Sequence, residues 1–151
     1  MIPDANRMRR AIELAESNFR LGGYAVGALV VRDSEIIAEA TNQAVQSNDP
    51  TAHAEVEAIR LACRVGGTRY LEGCYLYSTY EPCPMCASAA IWAKMSGIIY
   101  GATNEDSTQS HRWRVRIAAK DVVAKGEPRL ELHEGFMREE CNKLLQLNRE
   151  T

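Results

Sequence analysis

Apolar positions recur along the chain with two different periods, and the switches between them divide it into alternating elements. Over residues 4–21, Met8, Ile12, Ala15 and Phe19 fall on one helical face, with Asp4 as N-cap and Gly22-Gly23 as a stop. The stretches YAVGALVVRD and EIIAEATN then read as two short strands around the polar turn Asp33-Ser34, paired as a hairpin. Helical spacing returns in TAHAEVEAIRLACRVGG through Val56, Ile59, Leu61 and Cys63, and ends at a second glycine pair. CYLYSTY follows as a strand, PMCASAAIWAKM as a helix opened by prolines, and GIIYGAT as a strand. Beyond Asn104 the periodicity weakens. STQSHRWRVRIAAKDVVA predicts a polar loop or helix, RLELHE a short strand and FMREECNKLLQL a last helix. Alternation of this kind predicts an α/β layer fold, with crossover helices packed on a partly parallel sheet.

Composition narrows the class. A chain of 151 residues has the length of one domain, 1–151, and buries a core without disulfide staples. No apolar run is long enough to cross a bilayer, and MIPDANRMRR has neither the apolar region nor the cleavage site of a secretory signal, so the expected compartment is the cytoplasm. Five cysteines, an odd and scattered set, suit a reducing interior, where each thiol is buried, ligating or reactive. A net charge of -2 offers no global field for a polyanion, so RNA binding would have to rest on a local patch. HRWRVR is the concentrated basic-aromatic stretch, and a solvated helix face explains it equally well.

Cys83 and Cys86, in EPCPMC, stand at the start of a proline-opened helix, where unpaired N–H groups and the helix dipole favour thiolates. Alone, this CxxC fits a redox couple as well as half of a zinc site. TAHAE adds His53 and Glu55 at the start of another helix. Two crossover helices on one sheet bring their N-termini to one edge, so His53 completes a His/Cys/Cys triad for Zn2+. Three protein ligands leave a fourth position for a water, which loses a proton near neutral pH and becomes a nucleophile. Glu55 is then placed to carry a proton from that water to a leaving group as the catalytic acid/base.

HAE together with PCPMC resembles the cytidine deaminase-like superfamily. NDPTAHAEVEAIRLAC and EPCPMCASAAIWAK look like its branch of bacterial guanine deaminases and tRNA adenosine deaminases, over roughly residues 7–101. The resemblance implies a three-layer α/β/α fold with a central five-stranded mixed sheet, a homodimer, and one zinc per chain. It also implies a substrate-binding role for Asn42 and backbone N–H groups of Ala54 and Cys83 near the reacting centre. Its guanine deaminases carry a carboxylate pair after the last zinc helix, whereas NEDSTQSHRWRVRIAAK has Glu105 and Asp106 early and no further acid until Asp121.

Three readings follow. The first is a zinc hydrolase that releases ammonia from a free amino-heterocycle: guanine by resemblance, then isocytosine, cytosine or an aminotriazine. The second is a tRNA-specific adenosine deaminase, and the third a structural zinc module or redox CxxC protein. Cys63, Cys74 and Cys141 are expected to pack, and so are Trp92 and Met95, at helical spacing. His111 and Trp113 have the chemistry to cover a flat base but are read first as structural. His133 and His111 lack the helix-start context of a fourth ligand.

Overall fold

The structure, a computed structural model, describes residues 2–107 and 113–148. Its core is a five-stranded mixed sheet in the order β2-β1-β3-β4-β5, with β1 at Gly27–Arg32, β2 at Glu35–Thr41, β3 at Cys74–Tyr80, β4 at Gly97–Ala102 and β5 at Glu131–His133. β1 pairs antiparallel with both β2 and β3, whereas β3, β4 and β5 run parallel. The β1-β2 hairpin turns on Asp33 and Ser34, both left-handed at φ 48 and 67, the geometry of a two-residue turn that matches strand twist.

Helices cover both faces. α1 (Ala5–Arg20) and α5 (Arg138–Leu145) lie on one, where Met8, Ala11, Cys141 and Leu145 pack against Leu29, Val31, Tyr77 and Ile99. α2 (Ala54–Gly66), α3 (Pro84–Trp92) and α4 (Ala119–Ala124) lie on the other, against Ala28, Val30, Leu76, Ile98 and Tyr100. The alternation Ala28, Leu29, Val30, Val31 therefore feeds two cores, and β4 is buried throughout, as a strand covered on both faces must be. α1 lies very close to the start of β1: a Cβ on Gly27 would come 2.3 Å from the carbonyl oxygen of Ala11. No described helix is long and apolar enough to cross a membrane.

This topology sets up the site. β2, β3 and β4 all point the same way, so their carboxyl ends share one edge; α3 starts there directly after β3, whereas longer connections lead from β2 to α2 and from β4 to α4. Asn42, His53, Cys83 and Asn104 are thus gathered at one edge from distant parts of the chain.

The elements predicted from periodicity appear in order, with local departures. The first strand starts at Gly27 rather than Tyr24, because the Tyr24 carbonyl accepts from Asn18 Nδ2 and the Ala25 N–H donates to Asn148 Oδ1 instead of to a strand. On α2 the buried stripe is Ala54, Ala58, Ile59 and Ala62; Val56 and Leu61 are only half-buried. Met95 is in the core, but Trp92 is 82% exposed. Helical spacing fails there because α3 stops at Trp92 and Lys94 turns left-handed at φ 57, which swings Met95 inward while Trp92 stays on the outer face. The last helix begins at Arg138, since Gly135 and Met137 are left-handed. Among the described residues of STQSHRWRVRIAAKDVVA, Ala119–Ala124 is helical and Arg114, Val115, Arg116 and Ile117 are exposed without forming a helix face; residues 108–112, His111 among them, lie outside the described residues.

Candidate active site

His53 is the N-cap of α2 and Cys83 the N-cap of α3, and neither side chain caps its own helix. Each helix forgoes a cap contribution of about 1 kcal/mol so that the two side chains face each other. His53 Nδ1 lies 3.7 Å from Cys83 Sγ and 3.4 Å from Cys86 Sγ, and the two sulfurs are 3.7 Å apart. A tetrahedral zinc with bonds of about 2.3 Å to sulfur and about 2.0 Å to nitrogen separates its ligands by about 3.8 Å (S–S) and about 3.5 Å (S–N). The triad therefore has the spacing and the donor chemistry of a zinc site, and among the described residues no fourth His, Cys, Asp or Glu joins the group. His133 sits in β5 beside Glu131, 3.4 Å away.

The electrostatics divide the two thiols. The Cys86 thiol hydrogen-bonds to Cys83 and, against the opposing effect of burial, together with His53 brings the Cys83 thiol down to about 4. Cys86 moves well above the ordinary thiol range, because its neighbour already holds the negative charge and because it is buried. His53 is raised by its hydrogen bond with Cys83. Two helix N-termini add partial positive charge to the same spot, which favours the Cys83 thiolate.

Glu55, two residues along α2 from His53, is 4% exposed. Burial pushes its carboxyl up to about 7, well above a solvated glutamate. A carboxyl poised there accepts and returns a proton near neutral pH with little energetic bias. Asn42 follows β2 and is buried; Ala54 is the first residue of α2, where the N–H has no intrahelical acceptor. The Gln43 N–H donates to the Ala52 carbonyl at 2.8 Å, joining the Asn42 strand end to the loop that carries His53.

Other residues singled out in the sequence lie in structural contacts. Asp106 accepts from the Thr103 N–H at 2.9 Å and forms a two-point contact with Arg138 at 2.9 and 3.0 Å, while Glu105 is a more distant, exposed partner of the same arginine. Burial raises the Asp106 carboxyl, and those bonds outweigh it and hold it below the usual range. Cys74 and Cys141 are buried and Cys63 half-buried, all packing. Trp113 is half-buried, and its Nε1 has no hydrogen-bond partner among the described residues.

Glu81 was missed. It reads as one more strand-end acid, yet it is 5% exposed, and its two carboxylate oxygens accept the N–H groups of Asn104 and Ala119, each at 2.9 Å. Its own N–H donates to the Ala102 carbonyl at 2.8 Å. Two residues before Cys83, it ties the zinc loop to the exit of β4 and the start of α4. An acid directly before Pro-Cys at the end of an apolar strand was the available signal.

A profile of the cytidine and deoxycytidylate deaminase zinc-binding region matches residues 1–102. The chain is 46% identical over 104 residues to guanine deaminase of Bacillus subtilis (strain 168), covering 68% of this chain and 67% of that one. It is 43% identical over 98 residues to tRNA-specific adenosine deaminase of Aquifex aeolicus (strain VF5), covering 65% of each. The matched stretch thus spans about two thirds of these relatives. A solved structure from studies of A-to-I editing by tRNA:A34 deaminases superposes with a TM-score of 0.82 at 30% identity, covering 94% of this chain and 100% of that one. The chain belongs to the zinc-binding cytidine and deoxycytidylate deaminase family, a family of enzymes that hydrolyse C–N bonds.

Replacing Glu81 with Ala should strand two buried N–H groups, each worth about 1–3 kcal/mol. Urea unfolding is expected to show a loss of about 2–5 kcal/mol, and an unchanged midpoint would remove Glu81 from this role.

Proposed function

We propose that the chain deaminates a free amino-substituted heterocycle of the guanine type, with water as co-substrate and ammonia as product. The observation that supports this most is the set of groups at one sheet edge: a three-ligand metal site, a buried carboxyl and an amide donor, which together suit a flat amine-bearing ring. Zinc bound by His53, Cys83 and Cys86 would lower the pKa of a water so that it is nucleophilic near neutral pH. Asn42 donates from its amide to an acceptor on the ring, and the Ala54 N–H, at the positive end of α2, donates to a ring oxygen. Glu55 takes a proton from the attacking water and passes it to the ring nitrogen, then moves the second proton, from the hydroxyl now on the carbon, to the amine as the carbonyl forms and the C–N bond breaks. The balance is one amine and one water in, one carbonyl and one ammonia out. Arg138, where α5 starts, is paired with Asp106 and Glu105, so this one cation is already engaged within the chain.

Ammonia release from guanine, isocytosine, cytosine, adenine and an aminotriazine tests the reading, with tRNA inosine formation assayed in parallel. Turnover of a free base is expected, and Glu55→Ala should lower kcat by about 10²–10⁴-fold with zinc retained. Silence on every base, with inosine formed in tRNA, would replace it with the second reading, a tRNA adenosine deaminase. That reading is favoured by the likeness to the tRNA:A34 deaminase structure, which extends well past the zinc region.

The chain is also proposed to be a cytoplasmic homodimer. Its five cysteines are unpaired, and Trp92, 82% exposed, adjoins Ile117 across a groove between α3 and α4 of about 660 Å³. Light scattering should give twice the 16.8 kDa chain mass, falling to one with Trp92→Ser; a monomeric wild type would contradict it.

A further inference from the structure

We propose that Asn18, on α1, is a positioning residue for substrate recognition, acting through Asn42; this rests on the deaminase reading above. Asn18 is 2% exposed, and its amide is fully engaged. Nδ2 donates to the carbonyls of Tyr24 and Asn42, both at 2.8 Å, and Oδ1 accepts from Gln46 Nε2 at 2.8 Å and Gln43 Nε2 at 3.4 Å. An amide side chain offers two donors and an acceptor with two lone pairs, and this position uses all of them. Aspartate would lack both donors, and an apolar residue would leave buried carbonyls and amides unpaired.

The consequence lies in Asn42. Its N–H donates to the Val26 carbonyl at 3.1 Å, its carbonyl accepts from Asn18, and its Oδ1 accepts the Ala44 N–H at 3.0 Å. An N–H can be accepted only by oxygen, so the Ala44 bond fixes which way the Asn42 amide faces. Among the described residues Nδ2 has no partner, and it is the group left to meet the substrate. Asn18 holds the main chain of Asn42 and, through Gln43 and Gln46, the turn that supplies Ala44. Gly23 makes room for this: a Cβ there would lie 2.5 Å from Asn18 Nδ2 and 2.5 Å from Gln46 Nε2. Asn18 touches no substrate. Without it the turn relaxes, and the Asn42 donor no longer meets its substrate acceptor in the bonded geometry.

Steady-state kinetics on the turned-over heterocycle, for wild type, Asn18→Ala, Asn42→Ala and the double variant, test the coupling. Asn18→Ala should raise KM by about tenfold with kcat within about twofold, the pattern of lost uniform binding. In the Asn42→Ala background it should add less than about twofold, because the two residues act as one unit. Independent, multiplying effects, or a lower Tm with KM unchanged, would overturn the proposal and leave Asn18 a packing residue. Asn18→Asp, nearly isosteric, covers the case in which the alanine variant folds poorly. Hydrogen exchange at the Ala44 amide needs no substrate. Loss of its protection in Asn18→Ala and in Gly23→Ala supports the proposal, and retained protection in both overturns it. Absence of any heterocycle turnover by wild type would reject the deaminase reading while this exchange measurement still decided the role of Asn18.

Discussion

The side chains at the N-cap positions of two helices, His53 and Cys83, cap neither helix and instead lie 3.7 Å from each other. That juxtaposition requires two crossovers that begin at one sheet edge, which in turn requires β2, β3 and β4 to run in the same direction. The antiparallel β1 makes this possible by reversing twice, once in the Asp33-Ser34 hairpin and once in pairing with β3. Strand direction is thus not incidental to the chemistry, since it decides which loops meet.

What surrounds the triad is mostly bracing. Glu81 anchors the zinc loop to the exit of β4 and to α4 through two backbone N–H groups. Asn18 anchors the Asn42 turn, and Gln43 fastens that turn to the loop before His53. Glu81 and Asn18 are buried polar groups with their hydrogen bonds satisfied, the condition under which burial of a polar side chain adds order instead of instability. A site that handles a flat, polar ring needs donors placed within fractions of an ångström, and loops alone do not supply that.

Much of this was legible in the residues. Alternating periods gave the order of elements, and HAE with PCPMC gave the ligand triad and Glu55, because first-turn spacing and helix-start context are local properties. The parts that were not legible depend on tertiary placement. Trp92 obeys the helical period yet faces outward, since the left-handed Lys94 ends the register before Met95. Asn18 is a polar residue that continues the buried stripe of Met8, Ala11 and Ala15 on α1, and only the strand end packed beside it shows that its amide is fully used. Glu81 shares this difficulty: nothing near it in sequence reveals that its partners are residues 104 and 119. Glu105 and Asp106, the early acids of the segment after the last zinc helix, are engaged by Arg138, a pairing set by where α5 begins.

Among the described residues three side chains, His53, Cys83 and Cys86, are placed to hold a zinc ion, and no fourth joins them. Zinc K-edge X-ray absorption on the purified protein addresses this arrangement most directly. The expected result is one zinc per chain with two sulfurs at about 2.3 Å and two lighter atoms at about 2.0 Å, one of them from His53. Three or four sulfurs in the shell, or protein that takes up no zinc, would contradict it.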